Sequence, residues 1–345
     1  MPFLASGLMC ALLIAAGLRL GRLLPLNILA DTPGARSLHS TPKPRTGGIA
    51  IIVSFLLVGV TEQFFQHAPA LLFKWPSPAA AILLLLVVSL FDDFRGLSPF
   101  FRFAVQLTAA VVATFPTIEH PVFTDSHFYG ILFLVFLAIS LTWSANLFNF
   151  MDGADGLAGG MALIGFGALS FGAQLDANAG AEMQRECLWI SGAAAGFLLF
   201  NFSPARLFMG DTGSVTLGFV AAYFSLLGSL AGHWPWWFGP AIFSCFIVDA
   251  TVTLAKRAAA RKVIWHAHRE HYYQHLILSG WSHRKTCFAY YILMLTSAIC
   301  ALSAKNSPRP WTWLLPLVIT YASLIAVLEW RFHQEKEDGK KSGTG

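Results

Sequence analysis

The sequence predicts an all-α polytopic integral membrane protein with about eleven transmembrane helices. Of its 345 residues, 56% are apolar and 12% charged, and the mean hydropathy is +0.60, outside the balance of soluble globular domains. The apolar residues fall into runs near the ~20 residues that a helix needs to cross roughly 30 Å of hydrocarbon. Lysine and arginine gather in alternate connections between those runs, as the positive-inside rule requires.

The runs lie near 3–24, 47–64, 76–91, 101–118, 127–145, 157–174, 186–201, 213–231, 237–255, 286–303 and 311–330. The first has no basic stretch before it and carries Arg19 and Arg22 only at its far end. It therefore reads as a retained helix with its N-terminus outside, not as a removable signal peptide. Alternation then places Lys74, Arg185, Lys305 and Arg309 outside and nearly every other basic residue inside. The C-terminus is expected to be cytoplasmic, and the net charge of +5 is a topology signal before it is a nucleic-acid signal. Residues 1–330 read as one transmembrane domain and 331–345 as a polar, loose cytoplasmic tail. Cys10, Cys187, Cys245, Cys287 and Cys300 are scattered without CxxC spacing, which suits small buried hydrophobes better than a metal or redox site.

The expected outer loops hold no constellation of chemical residues. The inner ones do: Ser37 to Gly48; Asp92 and Asp93 with Gly96; Asn146, Asn149, Asp152 and Asp155; Gly210 to Ser214; and a basic, histidine-bearing stretch from Lys256 to Lys285. Five carboxylates at one side of a membrane are costly unless they share a cation or a charged ligand. A divalent-metal and phosphate site follows.

Adjacent carboxylates such as Asp92 and Asp93 repel, so a nearby Mg²⁺ or a raised pKa would relieve them and could supply a base. The plain alternative is two aspartates ending a helix at the interface. Asn149, Asp152 and Asp155 stand at i, i+3 and i+6 and nearly share a helical face, with Gly153 and Gly156 allowing tight turns and close ligand approach; a simple helix cap accounts for Asp155 alone. Asp211 and Ser214 begin an apolar run, where capping and phosphate binding are compatible roles. Arg257 and Arg261 lie in a basic run that by itself is an anchor on anionic lipid. His266, His268 and His271 lack a matching cysteine pair, so diphosphate contacts or metal-linked hydrogen bonds suit them better than structural zinc. Asp249, inside an apolar run, is expected to face a cavity or a partner, and Glu329 reads as merely interfacial.

Taken together and in order, these loops resemble the polyprenyl-phosphate N-acetylhexosamine-1-phosphate transferase family. The resemblance covers about Ser37 to Gly280. It implies transfer of a sugar 1-phosphate from a UDP-sugar to undecaprenyl phosphate, with release of UMP, in a bacterial inner membrane, on the cytoplasmic face, to start O-antigen or related envelope glycans. It implies Mg²⁺, with Mn²⁺ able to replace it. It assigns Asp92 and Asp93 as catalytic, either serving as base, and Asp211 and Asp152 as metal ligands. It assigns Asn149, Asp155, Lys43, Arg45, Arg257, Arg261, His266, His268 and His271 to nucleotide or substrate binding, with His39, Gly47 and Gly48 in the first loop. The histidine string departs from the family's peptidoglycan member, phospho-N-acetylmuramoyl-pentapeptide transferase, which carries three consecutive histidines; that enzyme stays as the alternative. The divergence also leaves the sugar open. No nucleic-acid partner is expected, and a homodimer is compatible. The rival from another class is a secondary transporter, but its ionisable residues belong at the midplane, whereas these gather at the inner ends.

Overall fold

The computed structural model describes residues 2–23, 30–31, 42–66, 76–115, 117, 127–175, 180–263 and 268–342. Among them are thirteen helices: α1 (Pro2–Leu23), α2 (Gly47–Gln66), α3 (Pro76–Arg95), α4 (Pro99–Thr114), α5 (His127–Met151), α6 (Leu157–Gln174), α7 (Ala181–Asn201), α8 (Asp211–Leu230), α9 (Phe238–Ile242), α10 (Ser244–Ala259), α11 (Tyr272–Leu278), α12 (His283–Lys305) and α13 (Trp311–Ser342). One antiparallel pair, β1 (Ala30–Asp31) with β2 (Lys43–Pro44), precedes α2. The fold is all-α and polytopic as expected.

Eight of these helices are long and apolar enough to cross a membrane: α1, α2, α3, α5, α6, α8, α12 and α13. The other three expected spans differ for visible reasons. Helix α4 has 16 residues, and α7 begins with Glu182, Arg185 and Glu186, which lower its hydropathy. The run at 237–255 is two helices, broken at Phe243, where φ −87° and ψ 8° leave the α-helical region. Helix α13 continues to Ser342 through the segment expected to be loose. At ~1.5 Å per residue it is longer than the hydrocarbon is thick.

Helices α6 and α8 form the centre, with 72% and 67% of their apolar windows buried. Around them α7 packs on α6 and α1, α5 on α8, and α3 on α4 and α8. The α1–α7 contact is built on small residues. A Cβ on Gly196 would lie 2.2 Å from the Gly7 carbonyl oxygen, and one on Gly192 would lie 2.2 Å from that of Phe3. Within lipid, such close backbone approach replaces the missing hydrophobic drive between helices. Helix α13 is the opposite case, with 11% of its window buried and a face such as Val318, Ile319 and Val327 that lipid would cover.

Candidate active site

The site begins in the last turn of α3, because the acidic pair lies inside the helix rather than after it. Asp92 closes that end: its Oδ1 accepts from the Leu97 amide at 2.5 Å, while Gly96, at φ +66°, donates its amide to the Asp92 carbonyl at 2.8 Å. Ser98 then caps α4, accepting from the Phe101 amide, with a proline in the first turn. This tight turn brings Arg102, one turn into α4, back over Asp92. Its Nη1 lies 2.9 Å from Asp92 Oδ2 and 3.1 Å from Asp211 Oδ2. Two carboxylates thus share a single guanidinium nitrogen.

Asp93 takes the opposite face and works on α8. Its Oδ1 accepts from the Asp211 amide at 3.1 Å; its Oδ2 accepts from the Thr212 amide at 3.0 Å and the Thr212 hydroxyl at 2.7 Å. The first amides of a helix have no partner within it, and α8 has no side-chain cap of its own. A carboxylate from α3 fills that role and meets the positive end of the helix dipole. Gly210 makes room: it sits at φ +74°, and a Cβ there would fall 2.9 Å from Asp93 Oδ2. Arg45 reaches Asp93 Oδ1 at 3.8 Å.

The loop before α2 pairs with the loop before α8. Phe208 donates its amide to the Pro44 carbonyl at 2.8 Å, Gly47 to Phe208 at 3.0 Å, and Gly48 to Met209 at 2.9 Å. A Cβ on Gly48 would lie 2.2 Å from Gly213 Cα, so the two helix starts touch backbone to backbone. Lys43 Nζ stands 5.0 Å over the Phe208 ring. Lys43 and Arg45 are thereby held beside the acidic cluster; His39 lies outside the described residues.

From α5, Asn149 joins the cluster by donating Nδ2 to Ser214 Oγ at 3.2 Å. A cleft lined by Asp92, Arg102, Gln106, Asn146 and Asn149 opens between α3, α4, α5 and α8. Asp152 lies in the turn that follows α5. Asp155 points away from the cluster. Its Oδ2 accepts from the Ala205 amide at 3.0 Å, and His283 Nδ1 lies 3.6 Å from its Oδ1. Neither contact involves Asp92, Asp93 or Asp211. Asp155 ties the turn after α5 to the loop before α8 and to the start of α12.

The histidine loop docks on the same end of α5. His271 is buried and stacks on Phe150 at 5.9 Å and on Tyr273 at 6.0 Å; its ring lies 4.8 Å from that of His268. The Tyr273 hydroxyl donates to the Phe150 carbonyl at 2.9 Å. Asp249, read from sequence as facing a cavity or a partner, caps α11: it accepts from the Tyr272 amide at 2.9 Å, the Tyr273 amide at 3.2 Å and the Tyr290 hydroxyl at 2.5 Å. Arg257 is buried, donating to Glu270 and to the Val263 carbonyl at 2.7 Å. Lys262 adds a second cation to Glu270 at 3.0 Å. Arg261 is exposed at the turn, at φ 55°, and His266 lies outside the described residues.

Burial, with the charges of His271, Arg257 and Lys262, pushes the His268 imidazole down to about 4. At neutral pH it is an uncharged donor and acceptor. Burial alone would raise the Glu270 carboxyl, but the Lys262 hydrogen bond and the Arg257 charge hold it below its ordinary value. The basic stretch is therefore partly spent on its own acid.

Sequence reasoning missed Arg102. The signal was present: Ser98-Pro99 is a helix start, and one turn later Arg102 falls on the face that returns toward α3. Among the described residues, no three His, Cys, Asp or Glu side chains form a group that could hold a metal ion. The Asp92 and Asp211 oxygens around the Arg102 nitrogen are nevertheless a two-carboxylate cation position. Mg²⁺ takes one or two carboxylates and fills its shell with water and substrate phosphates.

Comparison with known proteins returns one consistent group. Residues 75–229 match the sequence model of glycosyl transferase family 4. A probable undecaprenyl-phosphate N-acetylglucosaminyl 1-phosphate transferase of Bacillus subtilis (strain 168) is 27% identical over 317 residues, covering 86% of this chain and 83% of that protein. A phospho-N-acetylmuramoyl-pentapeptide-transferase of Microcystis aeruginosa is 27% identical, covering 86% and 87%. A decaprenyl-phosphate N-acetylglucosaminephosphotransferase of Mycobacterium tuberculosis is 28% identical, covering 82% and 78%.

Proposed function

We propose, from the match of residues 75–229 to glycosyl transferase family 4, that the chain is a polyprenyl-phosphate sugar-1-phosphate transferase. It takes an N-acetylhexosamine 1-phosphate from a UDP-sugar and places it on undecaprenyl phosphate at the cytoplasmic face of a bacterial inner membrane, releasing UMP. The lipid-linked product starts O-antigen or a related envelope glycan. The observation that supports this most directly is the meeting of Asp92 and Asp211 on one nitrogen of Arg102 at the ends of membrane-capable helices. The ends of such helices are where a lipid phosphate would meet a water-soluble nucleotide.

An oxygen of the lipid phosphate attacks the sugar-bearing phosphorus, the bond from that phosphorus to the bridging oxygen of UMP breaks, and UMP leaves. Such transfer depends on positioning and charge neutralisation more than on covalent catalysis. Asp92 lines the cleft with its Oδ2 on Arg102 and is placed there to take a proton from the acceptor phosphate. Asp93 is not, since both its oxygens hold the start of α8. Lys43 and Arg45 flank the cluster and offer charge to the diphosphate. Asn149 orients Ser214 at the head of α8. His268 and His271 form the wall against Phe150, with Arg257 supporting that wall. Asp211, whose Oδ2 already faces a cation, would hold Mg²⁺ or Mn²⁺, with Asp152, in the turn after α5, as the second ligand the resemblance implies. When bound, the ion neutralises the diphosphate charge.

The experiment is UMP release by the purified protein with undecaprenyl phosphate, Mg²⁺ and a panel of donors. The panel contains UDP-N-acetylglucosamine, UDP-linked 6-deoxy N-acetylhexosamines and UDP-N-acetylmuramoyl-pentapeptide. Release with an N-acetylhexosamine donor is expected, and no release from any donor overturns the reading. Release from the pentapeptide donor alone would replace it with the peptidoglycan reaction, which the Microcystis relative supports as the second reading.

A further inference from the structure

Resting on the transferase reading, we propose that Glu329, in the last helix, is a positioning residue for the UDP-sugar: it holds the histidine wall of the donor side in register. Helix α13 faces lipid over most of its length, but its inner end has specific partners. Glu329 Oε1 accepts from the Tyr272 hydroxyl at 2.6 Å and from Lys256. Three residues on, Phe332 is buried and lies against the His275 ring at 4.9 Å. The Tyr272 and His275 contacts both land on α11.

Tyr272 is the first residue of α11 and is held at both ends. Its amide goes to Asp249 on α10 at 2.9 Å, and its hydroxyl goes to Glu329 on α13. Immediately before it stands His271, stacked between Phe150 and Tyr273 and next to His268. The line from α13 to the reaction chamber is therefore short: Glu329, Tyr272, His271, Phe150, and then Asn149 on the same turn of α5. If the phenol end is released, the amide still anchors α11, but the residue can swing and carry His271 with it. Small displacements of a positioning group cost rate or binding without unfolding the protein.

Magnitudes separate this from a stability role. Lys256 and Glu329 are 52% and 40% exposed at their side chains, and ion pairs of that kind contribute little to folding. Loss of Glu329 should leave the chain folded while changing how the donor binds.

The test uses the full chain with Glu329→Ala, Glu329→Gln and Tyr272→Phe, measuring KM for the UDP-sugar and for undecaprenyl phosphate separately. Glu329→Ala is expected to raise the donor KM about tenfold, leaving the acceptor KM and the unfolding temperature near wild type. Glu329→Gln, which still accepts from Tyr272, should restore most of the donor affinity. Tyr272→Phe should match Glu329→Ala, and the double variant should be no worse than either. Amide exchange at 268–273, read by mass spectrometry, should quicken in Glu329→Ala; this arm stands even if no donor supports transfer. Unchanged donor KM with unchanged exchange overturns the proposal, as does an equal rise in both KM values.

Discussion

Asp93 and Thr212 form one joint between two helices: a carboxylate in the last turn of α3 accepts both the amide and the hydroxyl of the second residue of α8. With the Asp211 amide also bound, both Asp93 oxygens are committed to the start of α8, whereas Asp92, held by the Leu97 amide and Arg102, lines the cleft. Two adjacent aspartates thus divide the work by the faces of one helical turn.

Asp93→Ala should cost about 2 kcal/mol of stability, the magnitude of a lost buried cap with orphaned amides. Asp92→Asn, by contrast, should unfold near the wild-type temperature while turnover falls by about 10²- to 10⁴-fold. Thermal unfolding in detergent beside UMP release would check both. A stable, fully active Asp93→Ala variant would refute the division.

Arg102 keeps the Asp92 and Asp211 carboxylates from facing one another unscreened. Arg102→Ala should make stability depend on divalent cation: the unfolding temperature falls in EDTA and recovers with Mg²⁺ by more than wild type gains. Equal Mg²⁺ responses in the two proteins would remove Asp92 and Asp211 from a common cation position.

Asp155 is expected to behave as a structural residue despite its place in the motif. Asp155→Ala leaves the buried Ala205 amide without its acceptor, a loss of roughly 1–3 kcal/mol. Donor KM measured on the surviving folded fraction should remain near wild type. A large rise in KM with unchanged stability would return Asp155 to the substrate.

His268 sets a pH window. Its folded pKa of about 4 lies below the unfolded value of 6.5, so between those values the unfolded chain binds the extra proton. Stability from this group is therefore fully present above about pH 6.5 and is lost as pH falls toward 4. His268→Gln should flatten that part of the unfolding-temperature profile, and a profile as steep as wild type would assign the dependence elsewhere. The imidazole is only partly buried, so solvent screening keeps the change modest.

What the sequence determined by itself was everything carried by composition and local order: the all-α membrane fold, the ordered run of acidic and glycine-bearing loops, and the family those loops resemble. Apolar run length and the motif strings are local properties, and Asp92, Asp93, Asn149 and Asp211 do meet. The tertiary structure decided what each group touches. Asp92 and Asp93 differ because a helical turn aims neighbouring side chains apart. Asp155 leaves the cluster because the turn after α5 points it at Ala205. Arg102 enters the cluster because the Ser98-Pro99 turn folds α4 back onto α3. Glu329 gains a role because α13 ends against Tyr272, 57 residues earlier in the chain. Apart from the Ser98-Pro99 helix start that announces Arg102, such long-range partners depend on how helices pack, which no local pattern in the sequence records.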